Sequence, residues 1–385
     1  MEDLGRAARY RTAAKIIGVT GSVGKTGTKE MLRTAFDVQG QTHASVKSYN
    51  NHWGVPLSLA SMHAGTDYGV FEMGMNHPGE ITPLSQMVKP DIAIITTIAP
   101  VHIEYFEDGL DGIIAAKAEI FNGMDEGGDV ILNRDLESFK ILKEKAEAKG
   151  LKVHSFGEHK ESGTKILDCL EAANGSRVKA EILGEEVNFS LQIAGRHIVC
   201  NALAVLLAVK LADADIQRAA KALARQEPII GRGKREYLET NEKDNPITLI
   251  DESYNASPLA MNAAFKVLAL VDPGRGGRRI AVLGDMLELG NDSGKMHTDL
   301  ALPLKACNVD LVYTCGKNMR KLYEQLPANQ RGAHKDTSRE LAQIVPDVLV
   351  PGDVVMVKGS LGSKMGLVVE ALRALPDKFK HKKKV

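Results

Sequence analysis

The stretch that decides the fold is Lys15-Ile16-Ile17-Gly18-Val19-Thr20-Gly21-Ser22-Val23-Gly24-Lys25-Thr26. Its first six residues form a short apolar strand. Its last six form a Gly-rich turn, and residues 25–36 read as a helix. A strand, Gly-Lys-Thr and a helix in that order define a phosphate-binding loop. Gly21 and Gly24 allow backbone N–H groups to approach phosphate oxygens without a Cβ in the way. The helix start supplies positive partial charge. The turn Gly21, Ser22, Val23, Gly24, Lys25 and Thr26 is therefore the candidate ATP site. Lys25 would meet the outer phosphates and Thr26 would offer its hydroxyl to Mg²⁺.

Outward from this turn, residues 68–74 (YGVFEMG), 91–98 (DIAIITTI) and Asp129–Asn133 are further strands, and residues 110–122 are helical. Continuous apolar strands separated by helices imply a parallel sheet covered on both faces. Across residues 164–194 the pattern changes to short alternating stretches around Asn174-Gly175 and Gly184-Glu185, the signature of a small antiparallel patch. Helices follow at 197–212 and 216–225. Residues 231–245 (GRGKREYLETNEKDN) are polar and mark a boundary, giving domains 1–232 and 233–385. Beyond it, strand–helix alternation resumes at 248–251, 258–270, Arg279–Gly284, Leu311–Cys315 and 354–357, with a final helix from about 362. The expected architecture is α/β: a phosphate-loop domain with a parallel sheet and antiparallel patch, then a Rossmann-like domain.

Composition narrows the function. The 385 residues carry 49 basic and 49 acidic side chains, so no bulk charge favours nucleic acid or a membrane surface. The basic cluster Lys378, Lys380, Lys382, Lys383 and Lys384 reads as a solvated tail. Cys169, Cys200, Cys307 and Cys315 form no metal or disulfide spacing, which fits a reducing cytoplasm; Cys200 and Cys315 read as small core residues. The first ten residues carry charges and no apolar core of signal-peptide length, and no membrane span is expected, since no apolar stretch approaches about 18 residues.

One departure carries more information. Only two residues separate Gly21 from Gly24, where the common phosphate loop has four before its Gly-Lys pair. This shortened T-G-x-x-G-K-T resembles the Mur ligase and folylpolyglutamate synthase superfamily. The further segments SYNNHWGVP (48–56), EMGMNH (72–77), AKAEIF (116–121), GRHIVCN (195–201), DESYNASP (251–258), GDMLELG (284–290) and VKGSLGSKM (357–365) occur in the order of the Mur ligase family. They are most similar to the branch that joins D-Ala-D-Ala to UDP-muramoyl-tripeptide in peptidoglycan precursor synthesis.

The resemblance implies an ATP-dependent ligase acting through an acyl phosphate, with two Mg²⁺ ions. It makes Lys25, Glu72, His102 and Lys117 catalytic, and Thr26, Glu72, His102 and Lys117 metal ligands, Lys117 as a carbamate formed with CO₂. A carbamate requires a neutral amine, which burial favours. The resemblance also places Asn201 at adenine, Arg232 near the γ-phosphate, and Asp251 at the ribose or behind Tyr254 and Asn255. Asn50, Asn51, Tyr254 and Asn255 fall at substrate positions. The sequence departs from the pattern at Ile198, Glu252 and Leu361, where the family usually has Asn, Asp and Arg. Family members also carry an N-terminal domain that holds the UDP end of the substrate. With the phosphate loop at residue 20, that domain is expected to be missing here or to be a separate chain. Two alternatives stay open: another amide ligase of the superfamily, and a nucleotide-binding regulator without ligation.

Overall fold

The computed structural model describes residues 1–376; the lysine cluster 378–384 lies outside the described residues. The chain forms two compact units, 1–227 and 228 onward.

The first unit is built on nine strands: β1 (Lys15–Thr20), β2 (Thr42–Ala44), β3 (Tyr68–Glu72), β4 (Ile92–Ile95), β5 (Asp129–Asn133), β6 (Lys152–Gly157), β7 (Thr164–Ala172), β8 (Gly175–Ile182) and β9 (Glu185–Leu191). They lie in the order β2-β3-β1-β4-β5-β6-β7-β8-β9, parallel as far as β7 and antiparallel from β7 to β9. The antiparallel patch thus extends the main sheet. The helices are α1 (Glu2–Tyr10), α2 (Lys25–Asp37), α3 (Gly54–Ala60), α4 (Ile81–Val88), α5 (Gly109–Ala118), α6 (Phe139–Glu147), α7 (Arg196–Leu211) and α8 (Ile216–Leu223).

Successive strand residues feed opposite faces, as a two-period strand must. Ile17, Val19, Ile92 and Ile94 join one core with Leu32 and Phe36 of α2 and Leu203 of α7. Ile16, Ala93 and Ile95 join another with Leu84 of α4 and Ile113 of α5. Burial on both faces explains why these strands read as unbroken apolar runs.

The charged N-terminal stretch folds as α1, which periodicity had not indicated. Its arginine works as a cap: Arg9 Nε and Nη2 donate to the carbonyls of Val88 and Lys89 at the end of α4, at 2.8 and 3.1 Å.

The second unit has the strand order β10-β11-β15-β12-β13-β14: β10 (Lys234–Leu238), β11 (Ile247–Glu252), β12 (Arg279–Gly284), β13 (Leu311–Cys315), β14 (Arg331–Lys335) and β15 (Val354–Lys358). Its helices are α9 (Pro258–Ala269), α10 (Ser293–Thr298), α11 (Ala301–Ala306), α12 (Lys317–Gln325), α13 (Ser338–Val348) and α14 (Gly366–Arg373). All strands are parallel except β10, which pairs antiparallel with β11. This strand lies within 231–245, the polar stretch read as the boundary. KREYL is an edge strand whose polarity reflects its exposed side, and only Leu238 enters the core.

Cys315 is buried as anticipated, whereas Cys200 is only half-buried on α7. Burial pushes both thiols up to about 12, so both behave as inert packing groups.

Candidate active site

Strand β1 is the topological switch of the first sheet, with β3 on one side and β4 on the other. In open α/β sheets such a switch opens a crevice at the carboxyl ends of the strands. Here that edge carries the phosphate loop. Gly21 has φ 144°, and a Cβ there would lie 2.1 Å from Thr96 Oγ1; Gly24 has φ 90° at the start of α2. Neither position tolerates a side chain without distortion. Neighbouring residues lace the loop to the end of β4. The Ser22 N–H donates to the Thr97 carbonyl at 2.7 Å, Ser22 Oγ donates to the Ala99 carbonyl at 2.9 Å, and Thr96 Oγ1 donates to the Val23 carbonyl at 2.7 Å. Lys25 folds back so that Nζ donates to the Gly21 carbonyl at 2.7 Å. Asn201, on α7, packs directly on the loop: its Nδ2 would be 2.9 Å from a Cβ at Gly24.

Parallel register sets Val19 opposite Glu72, so the carboxylate of Glu72 stands beside the loop's entry. Glu72 is 1% exposed. One oxygen, Oε1, accepts from Asn50 Nδ2 at 2.7 Å, while Oε2 is buried with no hydrogen-bond partner. A buried carboxylate oxygen without a donor is costly unless a cation completes it. That orphaned atom is the observation in favour of a metal here. The Thr26 hydroxyl, also buried, lies 3.4 Å from Ser48 Oγ.

Lys117 sits in the last turn of α5 and is 2% exposed. Its pKa is held well below the usual lysine value, first by burial and then by repulsion from Lys25. Attraction from Glu119, Glu72 and Glu80 opposes this without reversing it. Those electrostatic neighbours place Lys117 in one locality with Lys25 and Glu72. Glu119 itself faces the start of α4, where its carboxylate accepts from the N–H groups of Gly79 (2.6 Å), Ile81 (3.0 Å) and Thr82 (2.9 Å). His102 adopts a left-handed conformation, φ 61°, at the head of a short turn, Ile103–Tyr105, after β4. His77 pairs with Glu80, the residue just before α4.

The two asparagines at substrate positions have partners within the chain. Asn50 orients Glu72, and Asn51 Oδ1 accepts from the Gly54 N–H at 2.9 Å, capping α3.

Within the second unit, Arg232 lies over the ring of Tyr254 at 4.3 Å, and the Tyr254 N–H donates to the Gly231 carbonyl. Asp251 is 2% exposed and turned inward: Oδ1 accepts from Ser253 Oγ at 2.6 Å and Oδ2 accepts from Arg373 at 3.2 Å. Lys358, quoted only as part of a motif, pairs with Glu252 at 3.0 Å and donates to the Asn255 carbonyl at 2.9 Å. Arg373, far along the chain, gave no sequence signal at all.

Residues 19–209 match the Mur ligase middle domain, and residues 237–361 match the Mur ligase glutamate ligase domain. The chain belongs to the Mur ligase family of ATP-dependent ligases. It is 32% identical to UDP-N-acetylmuramoyl-tripeptide--D-alanyl-D-alanine ligase of Bacillus subtilis, over 98% of this chain and 79% of the relative. It is 31% identical to the Rickettsia prowazekii protein of the same name, over 96% of this chain and 81% of the relative. A crystal structure of MurF from Acinetobacter baumannii superposes with a TM-score of 0.87 at 27% identity, covering 97% of this chain and 79% of that one.

Proposed function

We propose that this chain uses ATP to join D-alanyl-D-alanine to the carboxylate of UDP-N-acetylmuramoyl-tripeptide, releasing ADP and phosphate. The substrate pair follows from the relatives' names. The chemistry rests on one observation, the placing of a desolvated Lys117 and a half-satisfied Glu72 beside a phosphate loop.

Lys25 and the N–H groups at the start of α2 hold the β- and γ-phosphates. An oxygen of the tripeptide carboxylate attacks the γ-phosphorus. The bond from that phosphorus to the bridging oxygen of ADP breaks, leaving an acyl phosphate. The dipeptide amine then attacks the acyl carbon, phosphate departs, and the amine loses a proton. Positioning and charge stabilisation account for most of the acceleration. Thr26, Glu72, His102 and Lys117 as its carbamate would hold magnesium, which would neutralise phosphate charge. Lys117 forms that carbamate when its neutral Nζ adds to CO₂ and releases a proton; its burial favours the neutral amine. Asn201 contacts the nucleotide end of the loop, Arg232 has the γ-phosphate role that the family pattern gives it, and Tyr254 and Asn255 serve the substrate. The reaction is placed in the cytoplasm, where ATP is available and four unpaired cysteines stay reduced. Among the described residues, no helix is long and apolar enough to cross a membrane.

The test is phosphate release and product mass with both substrates present, repeated with Lys25→Ala. Release that needs both substrates and disappears in the variant is the expected result. Turnover with a different amine alone would point to another amide ligase. ATP binding without any ligation would point to a regulator. Unchanged turnover in Lys25→Ala would remove the phosphate-loop assignment.

A further inference from the structure

Lys29 lies on α2 one turn after Thr26 and is fully buried. Its ammonium pairs with Glu30 and donates to the carbonyls of Ser45, at 2.7 Å, and Lys47, at 3.0 Å. Those carbonyls belong to the turn that follows β2, where Lys47 adopts φ 49° and the Tyr49 N–H bonds back to Val46. The same turn carries Ser48, whose Oγ lies 3.4 Å from Thr26 Oγ1, and leads into Asn50, whose amide holds Glu72 Oε1 at 2.7 Å. One buried cation therefore ties the helix of the phosphate loop to a turn that touches both Thr26 and Glu72. An apolar side chain of similar volume would fill the same space without the desolvation cost of a buried charge. What the charge adds is the fixed path of that turn.

We infer that Lys29 is a positioning residue for the magnesium–nucleotide site, acting through Ser48 and Asn50 on Thr26 and Glu72. The inference rests on the ligand roles given to Thr26 and Glu72 in the proposed function. Groups that orient metal ligands typically contribute about 10- to 100-fold in metal affinity. Removing Lys29 is expected to fall at the lower end of that range, because it acts one step further out.

The experiment is calorimetric titration of ATP into the full chain, with and without magnesium, for wild type, Lys29→Met, Asn50→Ala and the double variant. Trp53, the one tryptophan of the chain, follows Asn50 by three positions, so its fluorescence anisotropy reports the order of the turn. Lys29→Met is expected to melt cooperatively and to bind ATP without magnesium as wild type does. It should need about tenfold more magnesium for half-maximal strengthening of ATP binding, with lower Trp53 anisotropy. The double variant should be no worse than the weaker single variant, since both act on one carboxylate. A folded Lys29→Met with an unchanged magnesium response, or effects that multiply in the double variant, would overturn the inference. If Lys29→Met does not fold, Lys29→Gln replaces it, because its amide still donates to the turn. Lower Trp53 anisotropy with an unaltered magnesium response would then count against the proposal, and a weakened response would support it. A wild-type chain without any magnesium effect on ATP binding would overturn the functional reading, and this inference with it.

Discussion

Lys117 poses the sharpest question at the residue scale, because a buried lysine costs stability when charged. Its folded pKa is depressed, so the sign can be worked out. Between that value and the ordinary value of about 10.4, the unfolded chain holds a proton that the native chain lacks, and stability rises with pH. In CO₂-free buffer, wild type should gain on Lys117→Met by about 1.4 kcal/mol per pH unit inside that window. The gain should vanish below the folded pKa. Urea denaturation at several pH values measures it; a stability difference that stays flat up to pH ~10 would contradict the depressed value. The carbamate makes a second prediction at the same residue. Activity lost in Lys117→Ala should return in part with short carboxylic acids, which supply the missing oxygens, and a fully active alanine variant would rule the carbamate out.

At the scale of elements, the join between α5 and α4 matters because it sits next to Lys117. Glu119 satisfies three N–H groups at the head of α4 from a different part of the chain. A helix start leaves four such donors, and a carboxylate there also meets the positive end of the helix dipole. Glu119→Ala is expected to cost about 1–3 kcal/mol, read as a lower urea midpoint with an unchanged m-value. A loss no larger than that of an exposed surface substitution would mean that water replaces the carboxylate at no cost. The sequence offered Glu119 only as the fourth letter of AKAEIF. Its capping role depends on a helix some forty residues earlier, which no local pattern can reveal.

For the whole molecule, the first unit has its own cores on both faces of its sheet, and the second has its own core around β12, β15 and α14. Residues 1–227 expressed alone should therefore unfold cooperatively. The cut belongs after Glu227, because Gln226 hydrogen-bonds Thr34 within the first unit. A broad, non-cooperative melt of that fragment would show that the first unit needs the second to complete its fold.

The phosphate loop, the parallel strands and both hairpin turns of the β7–β9 patch were legible in the sequence because their causes are local. Gly21 and Gly24 answer a backbone requirement, and strands buried on both faces must be apolar throughout. Helix α1 and strand β10 escaped notice because polar residues dominate them; Arg9 finds its acceptors at Val88 and Lys89, and Arg373 finds Asp251, only once the chain has folded. Motif order pointed to Glu72 and Lys117, yet nothing in those letters says that Glu72 keeps one oxygen without a donor or that Lys117 is stripped of water. These properties arise where β3, α2, α5 and the turn after β2 meet. Desolvation and charge pairing depend on what lies within a few ångströms in space, and residues 25, 29, 50, 72 and 117 become neighbours through the sheet order that the tertiary structure alone sets.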